Sequence, residues 1–262
     1  MQEFRHIMFY EEGHKYINMN TDEPYISVTQ SINKVKPDVD WDYWAVYKYL
    51  ETQGTVKAWY DKRMIKFNGQ WVHYSKYLKG GKAKRKEWDA KADKGKERGT
   101  FGHLYLENLF NNKVIKVPAE YKLEGAMKFY QDHRHLHPVY AEQIVGDDEY
   151  MIAGQIDRPF KLATNKLAIY DYKFDEEVKT ENKFSNLKAP FDFLPDCNFS
   201  KYCIQVNMYT WIVEKNTAWE VEYMKIVHIT DDDYTLYDVP RLPAQLLADE
   251  VRRTHKQPET RT

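Results

Sequence analysis

Asp157, Asp171 and Lys173 lie in GQIDRPFKLATNKLAIYDYKF, residues 154–174, a stretch otherwise suited to a protein interior. Ile156, Leu162, Leu167, Ala168 and Ile169 fit a buried sheet. A lone charge there is expensive unless it is paired or ligates a metal. The stretch reads as two strands around a turn near Thr164, so paired positions have numbers summing to about 328 and Asp157 falls opposite Asp171. Directly opposed like charges destabilise a sheet. Alternation puts Asp171 and Lys173 on one face of the second strand, with Tyr170 and Tyr172 on the other. Two carboxylates and an ammonium therefore converge on one patch. A divalent cation such as magnesium, which prefers carboxylate oxygens and water, resolves the repulsion. A structural Asp–Lys–Asp ion-pair cluster at a strand end is the rival explanation.

Two more pairs have spacing suited to a site. His103 and Glu107 in RGTFGHLYLEN are four residues apart and share a helix face. Gly99 and Gly102 are costly inside that helix, and they leave room for close approach of a backbone or ligand. Gln205 and Tyr209 in QVNMY have the same spacing. A hydrogen-bonded interior histidine and a buried helix-edge tyrosine are the plainer readings.

The elements that position these residues alternate between strand and helix. HIMFYEEGHKYINMN predicts a hairpin turning at Glu12–Gly13, followed by a helix capped by Ser27 or Thr29 and ended by Pro37. A short helix in WDYWAVYKYLETQG stops near Gly54, and the Trp- and Tyr-rich region after it has no clear assignment. Residues 80–98 form a basic, helical stretch, either a solvated face or a phosphate-contacting surface. GTFGHLYLENLFNN and AEYKLEGAMKFYQDH predict two helices, and VYAEQIVGD, YMIAGQIDRPFKL and KLAIYDYKF three strands. A polar segment precedes a helix in SKYCIQVNMYTWIVEK with Ser200 as its N-cap. A strand in WEVEYMKIVHIT and a terminal helix in PAQLLADEVRRTHKQ follow. This order argues an α/β fold with sheet and helices in layers.

Composition narrows the class. The 262 residues are 42% hydrophobic and 30% charged, as in globular proteins, with a formal net charge of −1 and hence no global pull on polyanions. Two cysteines, Cys197 and Cys203, fall in no CxxC pair, which disfavours a cysteine metal site and a disulfide framework. The N-terminus lacks the apolar core of a signal peptide, and no run approaches a membrane span. A cytoplasmic protein with no membrane partner is expected.

GxxxHxxxE at Gly99–Glu107, GxxD at Gly154–Asp157, DxK at Asp171–Lys173 and QxxxY at Gln205–Tyr209 occur in that order. This set resembles the PD-(D/E)XK nuclease superfamily, in its RecB-like, phage-type exonuclease branch. The resemblance covers roughly residues 95–230, and HKYINMNTDEPYISVTQSI is similar, more loosely, to the N-terminal region of phage-encoded members. It implies a restriction-endonuclease-like core with a central mixed β-sheet flanked by helices. That core would span residues 95–262, after a hairpin-and-helix extension over 1–94 that caps the site or guides DNA. His103, Asp157, Asp171 and the Tyr172 carbonyl would ligate one or two Mg²⁺ or Mn²⁺ ions. Asp157, Asp171 and Lys173 would be catalytic, with Lys173 positioning the attacking water. Gln205, Tyr209 and Arg98 would meet the substrate, and Glu107 and Glu142 would support the site. The implied activity is a DNA exonuclease leaving 5′-phosphate and 3′-hydroxyl ends, in recombination, repair or phage DNA processing. The implied partner is a single- or double-stranded DNA end. A recombination or replication protein partner and a homo-oligomer stay open. The chain departs from the family pattern in lacking iron–sulfur cysteines and in having Asp171 where many relatives have Glu. It has no phosphate-binding GxxxxGK[ST] loop, so it does not power unwinding with ATP. A structure-specific endonuclease and a non-catalytic DNA-binding or assembly module remain the alternatives.

Overall fold

Short apolar runs separated by turn residues build the first sheet. The computed structural model describes residues 3–138 and 143–255. In it, β1 (Ile7–Tyr10) and β2 (Lys15–Asn18) form an antiparallel hairpin. Gly13 sits in its turn with φ of 80°, backbone that glycine adopts without steric cost. β3 (Pro24–Ser27) extends the hairpin and pairs in parallel with β9 (Ile152–Ile156), which β8 (Gln143–Asp147) flanks antiparallel. A second five-stranded sheet has the order β13 (Tyr234–Asp238), β12 (Glu220–Ile229), β11 (Lys166–Lys173), β10 (Arg158–Ala163) and β7 (His137–Pro138).

Asp157 alone separates β9 from β10, so the chain steps from one sheet to the other and the whole is a curled mixed sheet. The single strand expected in YMIAGQIDRPFKL is thus two. The hairpin register is the one read from the sequence: Arg158 opposes Tyr170 and Pro159 opposes Ile169. Asp157 leaves the ladder one position before it would face Asp171.

Helices cover both faces. α5 (Asn198–Asn216) connects β11 to the parallel strand β12, the crossover a parallel pair requires. Leu167 and Ile169 of β11 join the core that holds Ile204, Met208 and Ile212 of α5. Ala168, Tyr170 and Tyr172 point the other way, into a core with Leu106 of α3 (Leu78–Phe110) and Phe129 of α4 (Glu124–His133). The first core also takes Val28 and Ile32 of α1 (Val28–Lys34) and Leu247 and Val251 of α6 (Gln245–His255). Ser27, not Thr29, caps α1, in a reciprocal box with Gln30. At α5 the cap is Cys197, so the helix begins before Ser200, whose hydroxyl lies 3.2 Å from the Cys197 sulfur.

The chain divides into two units, Met1–Pro37 with Gly99–Thr262, and Asp38–Arg98. The sequence reading placed one boundary at 94/95; here the N-terminal hairpin belongs to the larger unit, through the β3–β9 pairing. The smaller unit holds α2 (Trp41–Glu51), capped by Asp40, and an antiparallel sheet of β4 (Val56–Trp59), β5 (Met64–Phe67) and β6 (Gln70–His73). This sheet fills the region with no clear assignment. Its core is Tyr43, Val46, Leu50 and Ile65. The glycines of α3 do not break it. An added Cβ would lie 2.2 Å from the Tyr49 ring at Gly80 and 2.6 Å from Val46 at Gly81, so these glycines let α2 pack closely. Among the described residues, no helix is long and apolar enough to cross a membrane.

Candidate active site

The break at Asp157 frees a carboxylate from the sheet and gives it two partners. Its Oδ2 accepts the Tyr172 N–H at 2.7 Å, replacing a ladder bond, and its Oδ1 lies 3.3 Å from His103 Nδ1. His103 comes from α3, held beside Tyr172 and Phe174 at ring distances of 5.9 and 5.5 Å. Gly102 makes that approach possible, because an added Cβ would lie 2.4 Å from the Phe174 ring. Gly99 has open space around it.

Asp171 and Lys173 share the α5 face of β11, as alternation predicts. Lys173 Nζ lies 2.6 Å from Asp171 Oδ2, donates to Gln205 Oε1 at 3.2 Å, and sits 4.6 Å from the Tyr202 ring centre. Gln205 in turn donates to the Tyr209 hydroxyl at 2.9 Å. Gly154 serves this brace: a Cβ there would meet the Tyr209 ring at 2.5 Å. Gly154, Asp157, Asp171, Lys173, Gln205 and Tyr209 thus meet in one cavity of about 270 Å³, together with His103. His14, Ser27, Thr29 and Gln155 also line it. The sequence reading assigned these four no role at the site, because β3 reaches it only by pairing with a strand more than a hundred residues away.

Burial sets the electrostatics. It pushes the Asp171 carboxyl up to about 6, against the pull of Lys173. Burial also works against Asp157, but His103, Lys173 and the Tyr172 N–H hold its carboxyl below the usual range. The His103 and Lys173 pKa values are raised: desolvation lowers both, and the adjoining carboxylates more than offset it. The four groups stand in two pairs, Lys173 with Asp171 and His103 with Asp157.

The Tyr172 side chain does not line the cavity, its ring packing on Phe129 at 5.4 Å, while its backbone joins Asp157 through the N–H. Glu107 is half-buried one turn beyond His103 and also lines no part of it. Arg98 belongs to the smaller unit, and the cavity is lined entirely by the larger. Glu142 lies outside the described residues. In α3, residues 89–97 are all exposed.

Two carboxylates and an imidazole in one polar cavity have the donor chemistry for a hard divalent cation. Among the described residues, however, no three His, Cys, Asp or Glu side chains converge into a ready coordination shell. Lys173 is paired with Asp171, and His103 with Asp157.

No protein-family model matches the chain, and no curated protein does. Among solved structures, a candidate exonuclease from Eubacterium rectale aligns with 61% of this chain and 65% of its own, at 14% identity and a TM-score of 0.34. The protein SSO0001 aligns over 51% and 58%, at 13% identity and a TM-score of 0.28. This chain therefore spans less than two thirds of either structure. Likeness of this depth assigns neither a family nor an activity.

Proposed function

We propose that this chain is a metal-dependent deoxyribonuclease that hydrolyses phosphodiester bonds, working as an exonuclease. One observation carries the reading. Asp157, Asp171, Lys173, His103, Gln205 and Tyr209 come from the Asp157 bend, one strand and two helices to line one cavity. Asp157, Asp171 and His103 would hold Mg²⁺ or Mn²⁺. When bound, such an ion supplies Lewis acidity to the phosphate and lowers the pKa of water.

The chain's own groups do the remaining work. Lys173, aimed by Gln205 and kept charged by two carboxylates, orients the attacking water and meets charge that develops on the phosphate. Tyr209 fixes the Gln205 amide and so the direction of Lys173. His103, from α3, holds Asp157 through Nδ1. The products would carry 5′-phosphate and 3′-hydroxyl ends.

End-labelled linear and circular DNA, single- and double-stranded, incubated with Mg²⁺ or Mn²⁺, tests this. Wild type should shorten linear DNA, and Asp171→Asn and Lys173→Ala should not. Equal cleavage by the variants sinks the site, and circles cut as fast as linear DNA sink the exonuclease reading. The paired charges favour a second reading, a metal-free ion-pair cluster in a non-catalytic module. Calorimetric titration with Mn²⁺ separates the two: heat of binding lost in Asp171→Asn supports the nuclease, and no heat in wild type supports the cluster.

A further inference from the structure

Charge is unevenly shared along this chain. The unit Asp38–Arg98 has fifteen Lys and Arg against nine Asp and Glu, a net of +6, whereas the whole chain carries −1. Its small sheet concentrates the imbalance. The strands VKAW, MIKF and QWVH contain no acidic residue. Register sorts their side chains into two faces. Val56, Ala58, Ile65 and Phe67 turn inward, onto the core with Tyr43 and Leu50. The rows Lys57–Lys66–Trp71 and Trp59–Met64–His73 form the outer face.

Two features of that face are unfavourable in an isolated protein. Lys57 and Lys66 stand directly opposite each other, a like-charge pair that weakens a ladder. Trp59 and Trp71 are 49% and 41% exposed, their rings edge to face at 5.5 Å. Indoles are usually largely buried, and among the described residues every exposed tryptophan lies in this unit. A ligand with regular negative charge and flat apolar surfaces relieves both. Single-stranded nucleic acid has those properties. A duplex keeps its base faces stacked internally and offers the indoles nothing.

We propose that the outer face of the β4–β5–β6 sheet is a binding platform for single-stranded DNA, with unpaired bases stacked on Trp59 and Trp71 and phosphates held by Lys57 and Lys66. The choice of DNA over RNA rests on the nuclease reading above; the platform itself does not. Base–aromatic stacking tolerates any sequence, and lysine contacts make binding salt-dependent.

The test uses the full chain in EDTA, so that binding is read without cleavage, and fluorescence anisotropy of a labelled oligothymidylate of about 16 nucleotides. Trp59→Ala/Trp71→Ala should weaken binding at least about tenfold, and Trp59→Phe/Trp71→Phe should restore most of it. Lys57→Gln/Lys66→Gln should reduce the slope of log affinity against log salt by about 1.4. Thermal melts confirm that each variant is folded. The proposal is overturned by unchanged affinity in the alanine variant, by an equal loss on a duplex of the same length, or by tighter binding of oligouridylate. Cleavage by wild type keeps the two readings apart. If the indole variant loses oligothymidylate while wild type cuts nothing, the nuclease reading fails and the platform stands. If wild type cuts DNA and the indole variant binds as well as wild type, only the platform fails.

Discussion

Lys173 and Lys66 are both strand lysines, and their surroundings differ in kind. Lys173 in the larger unit is 15% exposed, with a carboxylate at 2.6 Å and an amide brace behind it. Lys66 in the smaller unit stands between a second lysine and an indole, with no acid in its sheet. A desolvated, braced ammonium is a positioned group, because its charge points at one place and water does not screen it. A surface row of ammonium groups is a field, felt over about 8 Å at physiological salt. Sequence counting cannot separate the two, since both are lysines among apolar residues.

The difference breaks first at hydrolysis. Lys173→Ala should lower kcat by about 10³-fold and leave binding of DNA in EDTA within about twofold of wild type; Lys66→Ala should do the reverse, weakening binding with kcat kept. Matching profiles for the two variants would remove the distinction. Next is the brace. Gln205→Leu should cost about 10- to 100-fold in kcat with little change in melting temperature, because it frees Lys173 without emptying the core. An unchanged kcat would mean that Asp171 alone aims the ammonium.

A smaller contrast runs along α3. Gly102→Ala drives a methyl into the Phe174 ring and should destabilise by roughly 1–3 kcal/mol in urea unfolding. Gly95→Ala has open space and should gain up to about 1 kcal/mol from helix propensity. The same sign for both would mean that packing does not govern this helix.

The smallest effect belongs to an exposed carboxylate remote from the cavity. Burial raises the Asp148 pKa, but bonds from His6 at 3.0 Å and Tyr25 at 2.7 Å outweigh it and hold the pKa low. A depressed carboxyl contributes stability above its unfolded pKa, and that contribution fades as pH falls. Asp148→Asn should therefore flatten the acid limb of the melting curve below about pH 4, modestly, since the group is 57% exposed. A limb as steep as wild type would assign acid sensitivity elsewhere.

What the sequence disclosed followed from local rules. Period-two alternation and one turn were enough to place Asp171 with Lys173 and to set the β10–β11 register. Four-residue spacing was enough to join Gln205 to Tyr209. Long-range and context-dependent features stayed hidden. The bend at Asp157 interrupts a run that reads as one strand, and the β3–β9 pairing has no local signal. Glycine is costly inside a helix, yet close packing at Gly80 and Gly81, which no local pattern signals, makes glycine the residue that fits. Strands of four residues in the small sheet are too short for a period to show.

The Asp157 carboxylate ties two sheets together with one oxygen and faces His103 with the other. Whatever draws charge from one oxygen weakens the acceptor at the other. The Tyr172 amide is therefore a gauge fitted into the backbone, and its hydrogen–deuterium exchange should quicken when Asp157 is engaged. Asp157 has a mechanical duty as well as a chemical one. Replacing it with alanine would loosen a seam, so Asp157→Asn, which keeps an oxygen for the Tyr172 N–H, is the cleaner probe of the chemistry.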